Sequence, residues 1–182
     1  MRSRVAIWCL AVAILGWCDA ALAQKSGGAL RIFHRDNPTS ASILEETAAS
    51  TVVAFMPVFN NLVMFDPSTA QNTPESIIPD LAESWRWNDD KTELTFKLRR
   101  NVTWHDGFPF TSSDVECTFN LWTGRARNKL RSNPRGSWFG NINFVHAPND
   151  YEVTIHLNRP QPALLSMLAS GFSPIYPCHV PL

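Results

Sequence analysis

No stretch of this 182-residue sequence is apolar for long enough to cross a hydrocarbon core, which takes about 20 residues in a helix. The uncharged run from Val5 to Gly16 comes closest and falls short. An excess of charge of one sign is also lacking, since 16 basic residues stand against 16 acidic ones. That balance leaves no electrostatic footprint for nucleic acid or anionic lipid. Cysteine is scarce: there are four, and Cys9 and Cys18 both precede residue 24. The other two, Cys117 and Cys178, are far apart and in no metal-ligand spacing. Two cysteines make no disulfide framework. An oxidising compartment allows a bridge, but two separate buried thiols are the simpler expectation, because free cysteine is commonly buried.

Motifs for catalysis are missing as well. No glycine-rich run precedes a Lys-Ser or Lys-Thr pair, so a phosphate-cradling loop is not expected. A Gly-x-Ser-x-Gly nucleophile elbow does not occur. His34, His146, His156 and His179 are scattered without a His-x-x-x-His spacing, and they read as surface or hydrogen-bonded residues. His105-Asp106 invites a metal reading, but a metal site needs three or four convergent ligands. Asp106-Gly107 is instead a turn dipeptide whose carboxylate caps local amides. Among the tryptophans, Trp85, Trp87 and Trp104 fall on expected strands and Trp122 on a helix face, where packing is the default role. Trp138 is the one expected to be exposed. The expectation is a protein that is not an enzyme and uses no cofactor or metal.

The N-terminus does carry a pattern. Arg2 and Arg4 precede the apolar run, and Ala21-Leu22-Ala23 places small residues where a signal peptidase reads them. Residues 1–23 therefore read as a secretory signal cleaved before Gln24. Bulky Trp17 before Cys18 argues against lipid attachment at that cysteine. Removal of the signal leaves one more acidic than basic residue and a length suited to one ordinary domain.

Beyond it, Ala29 to Phe33 alternates enough for a strand and runs into a polar loop, His34 to Ser40. From Ile43 to Asn61, apolar residues recur at helical spacing, with Pro57 bending or ending the helix near Met56. Leu62 to Phe65 is a short strand. Ser84 to Trp87 and Thr92 to Leu98 flank Asn88-Asp89-Asp90-Lys91, a hairpin composition. Leu94, Phe96 and Leu98 face one way while Thr95 and Lys97 face the other, as a sheet with one buried face requires. Thr111 with Asp114 three residues on resembles a capping box for a helix burying Val115, Phe119 and Trp122. Gly124 to Phe139 is basic and irregular and reads as a surface segment. Tyr151 to Leu157 alternates as another half-buried strand, and Pro162 opens a short helix through Leu168. The mixture of strands, hairpins and helices gives an α/β or α+β class.

Four blocks in order carry a family resemblance. They are Pro79-Asp80-Leu81-Ala82-Glu83-Ser84-Trp85, Leu94-Thr95-Phe96-Lys97-Leu98-Arg99, Val102-Thr103-Trp104-His105-Asp106-Gly107 and Pro109-Phe110-Thr111-Ser112-Ser113-Asp114-Val115. Their spacing resembles that of extracellular solute-binding proteins of family 5, the dipeptide-, oligopeptide- and nickel-type binding subunits of ABC importers. Ile175-Tyr176-Pro177-Cys178-His179-Val180 resembles a further family segment, with Cys178 where a charged residue is common. The resemblance implies a mixed α/β, type II periplasmic-binding-protein-like fold. Residues 28–60 would begin the first lobe, 61–170 would form an extra α+β subdomain, and 171–182 would return to the first lobe. The second lobe has no counterpart in these residues, so the chain reads as incomplete.

The implied function is capture of peptides or related small solutes in the periplasm, for delivery to an inner-membrane ABC permease, by a monomer. Arg35, Asp36, Asn37 and Ser42 are the expected ligand contacts. They follow the first expected strand, where clefts form in open α/β sheets. A fragment of a secreted hydrolase and a truncated, non-binding remnant are the alternatives.

Overall fold

The computed structural model describes residues 28, 29, 31–34 and 36–180. The expected signal segment, and Arg35 among the expected site residues, lie outside the described residues. Contacts divide the chain into two units, 1–33 and 34–182, and the elements below belong to the second. In the first, residues 31–33 form no strand, and Phe33 is 92% exposed. Alternation alone does not make a strand, because an isolated one has no ladder partner to satisfy its backbone.

The elements are α1 (Ala49–Phe55), a 3-10 turn (Met56–Val58), β1 (Val63–Phe65), a 3-10 turn (Pro74–Ser76), β2 (Ile77–Pro79), β3 (Ala82–Trp87), β4 (Glu93–Leu98), α2 (Ser112–Trp122), β5 (Ile142–Asn149), β6 (Glu152–Leu157) and α3 (Leu164–Leu168). β1 and β2 make a two-stranded antiparallel sheet. The larger sheet runs β3-β4-β6-β5, with every neighbouring pair antiparallel. Among the described residues, no helix is long and apolar enough to cross a membrane.

The β3–β4 hairpin forms where its turn composition places it. The side-chain oxygen of Asn88 accepts from the amides of Thr92 at 2.9 Å and Glu93 at 3.0 Å, and Lys91 takes a left-handed conformation at φ 57°. Leu94, Phe96 and Leu98 are buried on one face, opposite Ile155 and Val153 of β6. α2 covers that face with Val115, Phe119 and Trp122, all fully buried. Trp122 stacks on Phe139 at 4.7 Å and meets Phe119 edge-on at 5.0 Å. Aromatic groups of this size dominate a core because each removes a large apolar area from water.

Thr111 and Asp114 do form a capping box at the start of α2. Asp114 does more than cap. Its carboxylate also accepts from Trp104 Nε1 at 3.2 Å and from the amide of Cys178 at 3.1 Å. A buried carboxylate needs such donors, since an unmatched charge there is costly. Trp104 itself is half-buried beside an isolated bridge, Thr103 to Pro109, and not on a full strand. The Asp106-Gly107 turn is present, with Gly107 at φ +87°, and Asp106 accepts from the amide of Phe108 at 3.2 Å.

Two expectations need correction here. Cys117 and Cys178 are not separate thiols; they form a disulfide that ties α2 to the segment after α3. Residue spacing carries no information on whether two half-buried sulfurs meet, whereas a Cα separation of 6.2 Å lies within the range a bridge can span. The helix expected from Ile43 starts only at Ala49. The carbonyls of Leu44 and Glu46, which a helix would use internally, accept instead from Arg135. Its end agrees with expectation, since α1 stops at Phe55 and passes into a 3-10 turn containing Pro57.

Candidate functional site

A cleft of about 470 Å³ opens between the segment before α1 and the irregular segment after α2. Ser42, Ile43, Leu44 and Glu45 form one wall, Lys129, Leu130 and Arg131 the other, and Phe59 and Tyr176 complete it. A mostly apolar lining with a few placed polar groups is the usual make-up of a small-molecule site.

The walls are held apart and in register by arginine. Arg135 is fully buried, and its Nη1 donates to the Leu44 carbonyl at 2.6 Å and its Nη2 to the Glu46 carbonyl at 3.0 Å. Burial pushes its guanidinium down to about 10, which still leaves it charged near neutrality. The segment 124–139, expected at the surface, is therefore anchored at Arg135 and at buried Phe139. Exposed charge ahead of those anchors, at Arg127, Lys129 and Arg131, makes the segment read as surface, but two of its side chains fill the interior.

Closer to the mouth, Arg131 reaches Glu45 across 86 residues of sequence. Its Nε and Nη2 donate to Glu45 Oε2 at 3.0 and 2.6 Å, and its amide donates to Oε1 at 2.5 Å. Ser42 Oγ donates to the same carboxylate at 3.2 Å. The hydrogen bonds from the Arg131 side chain hold the Glu45 carboxyl below the usual carboxylate range. The Lys129 ammonium donates to the Gly124 carbonyl.

Of the expected contacts, Ser42 lines this cleft. Asp36 and Asn37 are exposed and lie outside its lining; the Asp36 carbonyl accepts from His34 Nδ1 at 2.8 Å. Glu45, Lys129, Arg131 and Tyr176 were not expected. The available signal was the charge pattern: from Cys117 to Asn149 there is no acidic residue, while Arg125, Arg127, Lys129, Arg131 and Arg135 are all basic. Trp138 is exposed at 39% and packs edge-on against Phe172 at 5.6 Å. Among the described residues, no group of three or more His, Cys, Asp or Glu side chains is placed to hold a metal.

Residues 76–178 match the model of the bacterial extracellular solute-binding proteins, family 5 Middle. A protein of Brucella ovis named for peptide binding in an ABC transporter is 36% identical over 110 residues, covering 60% of this chain and 19% of its own length. The dipeptide-binding protein of Escherichia coli K12 is 30% identical over 139 residues, covering 66% of this chain and 24% of its own. Among solved structures, MoaA of A. tumefaciens R10 in complex with mannopinic acid superposes with a TM-score of 0.61 at 32% identity, over 74% of this chain and 26% of that one. NikZ of Campylobacter jejuni with Ni(L-His) gives 0.63 at 26% identity, over 80% and 26%. The chain thus spans about a fifth to a quarter of the length of these curated relatives.

Proposed function

This chain belongs to the bacterial extracellular solute-binding proteins of family 5, and from that membership we propose that it is part of a subunit that captures peptides or related small solutes for an ABC permease. The family binds solutes and does not transform them, and the same role without catalysis is proposed for this protein. The observation that carries the reading is the cleft at Ser42, whose volume falls within the range of small-molecule sites. Relatives named for dipeptides, for a nickel–histidine complex and for mannopinic acid support a small polar solute as the ligand class.

Capture takes place in the periplasm on this reading, after export directed by residues 1–23, and the protein works as a monomer. Residues 28–60 and 171–182 belong to the first lobe, and 61–170 to an extra subdomain that carries the four-stranded sheet and α2. Arg35, Asp36, Asn37 and Ser42 remain the proposed first-lobe contacts, with Ser42 supported by its place in the cleft.

Equilibrium dialysis of the purified protein against a mixed pool of di- and tripeptides, read by mass spectrometry, tests the proposal. Retained peptides are expected, with weaker retention in Ser42→Ala and in Asp36→Ala/Asn37→Ala. A protein that retains none would overturn solute capture. Unchanged retention in the variants would remove these residues from the site.

A further inference from the structure

The Cys117–Cys178 bridge lies where a reagent can reach it. Both cysteines are half-buried, and they line a cleft of about 450 Å³ between α2 and the segment after α3. Asn120, Arg127, Asn128 and His179 share the lining, and among the described residues no acidic side chain does. Glu116, next to Cys117 in α2, is absent from it. Asp114 is buried and already accepts from Thr111, Trp104 and Cys178, and Asp106 is paired with His179 at 2.7 Å. Arg127 is exposed and has no hydrogen-bonded or ionic partner among the described residues. Thiol–disulfide exchange begins with the approach of a thiolate, and an exposed cation lining a cleft draws an anion in.

The contacts of the segment after α3 change character at Cys178. Before it they are internal. Ile175 is buried and its amide donates to the Asn60 carbonyl at 2.9 Å, and the Tyr176 amide donates to Thr118 Oγ1 at 2.9 Å. After it they lie at the surface. His179 pairs with Asp106 and stacks on Phe108 at 4.5 Å, and Phe108 is itself 56% exposed. The Val180 amide donates only within the segment, to the Pro177 carbonyl. Exposed ion pairs contribute little to stability. The hold on residues 178–180 therefore rests on the sulfur bridge and on the bond from the Cys178 amide to Asp114 at 3.1 Å.

We propose that the Cys117–Cys178 bridge is a redox latch. A dithiol reductant, its thiolate drawn in by Arg127, opens the bridge in the folded protein and frees the chain from Cys178 onward. The contacts up to Tyr176 keep the rest in place. In the first step the thiolate forms a mixed disulfide with one cysteine, and the other departs as a thiolate with the electron pair of the broken S–S bond. The second thiolate of the reductant then displaces the first. The cysteine pair gains two electrons and, from solvent, two protons, and the dithiol becomes a disulfide. The latch goes beyond solute capture and does not depend on it.

Dithiothreitol added to the full chain without denaturant tests it, with thiols trapped by iodoacetamide and counted by mass spectrometry. Both cysteines are expected to be trapped while circular dichroism stays that of the oxidised protein. Arg127→Glu should slow the reduction by about tenfold at low ionic strength, the lower end of electrostatic steering, and by less at physiological salt. Hydrogen exchange, measured with and without the reductant, should be at least about tenfold faster at the amides of residues 178–180 in the reduced protein. The amides of Ile175, Tyr176 and α2 should keep their protection. Cys117→Ser with Cys178→Ser should reproduce the exchange pattern of the reduced wild type. A bridge that yields only in denaturant, or a rate indifferent to Arg127, overturns the proposal. So does unchanged exchange at residues 178–180 after reduction. Loss of protection throughout α2 and the sheet also overturns it, since the bridge would then be a staple of the whole fold.

Discussion

Arg135 Nη1 donates to the carbonyl oxygen of Leu44 at 2.6 Å, joining residues 91 positions apart in sequence. The contact fixes one wall of the cleft to the segment that supplies the other. Buried ionic groups persist only when enough partners replace water. Arg135 meets that condition with two carbonyls and with the face of Phe172 at 5.9 Å, although its Nε lacks a partner.

Arg135→Met keeps the volume of the side chain and removes the charge and the donors. Two carbonyls would then lose their partners, so a destabilisation of about 3 kcal/mol is expected. Urea unfolding followed by tryptophan fluorescence measures it. A midpoint equal to that of the wild type would show that residues 43–46 hold their path without Arg135.

The Cys117–Cys178 bridge closes a loop of 61 residues in sequence separation. A cross-link over that span removes chain entropy from the unfolded state, a contribution of about 4 kcal/mol by the loop-closure relation. Paired replacement, Cys117→Ser with Cys178→Ser, should lower the unfolding midpoint accordingly under oxidising conditions. It should leave the protein insensitive to dithiothreitol, whereas the wild type weakens on reduction. Identical midpoints with and without the bridge would contradict the expectation.

Acid should weaken the fold through two carboxyls. Glu45 is held below its ordinary 4.5 by Arg131, and Asp106 below its ordinary 3.8 by the hydrogen bond to His179 at 2.7 Å. Each therefore takes up a proton more readily in the unfolded chain than in the folded one. Their stabilisation is complete above those ordinary values and is lost as pH falls through the lowered ones. Both lie near solvent, so the effect is small and screened by salt. Unfolding midpoints measured from neutrality down to about pH 3 should fall, and Arg131→Gln should flatten part of the decline. A profile unaltered by that substitution would show that the Arg131–Glu45 pair adds nothing to stability.

Much of the scaffold was legible from residue order alone. The β3–β4 hairpin, the burial of Leu94, Phe96 and Leu98, the cap at Thr111 and the bend at Pro57 depend on neighbours within a few positions. Local chemistry settles them: a turn composition, a two-residue alternation, a hydroxyl beside open amides, a ring without a donor. The same local signals misled where a distant group took over. The periodicity of residues 43–48 is helical, yet Arg135 claims the carbonyls of Leu44 and Glu46. The alternation of residues 29–33 suits a strand, yet residues 31–33 do not form one.

The sequence by itself determined the hairpin, the capped helix and the family, because each rests on contiguous residues whose spacing is informative. Tertiary structure alone decided the cleft, the disulfide and the pairing of Arg131 with Glu45. Those contacts join residues 61 to 91 positions apart, and which distant groups meet follows from how the sheet, α2 and the segment after it pack. Of the expected ligand contacts among the described residues, Ser42 lines that cleft and Asp36 and Asn37 do not. The partners of Ser42 there were supplied by packing that no local pattern records.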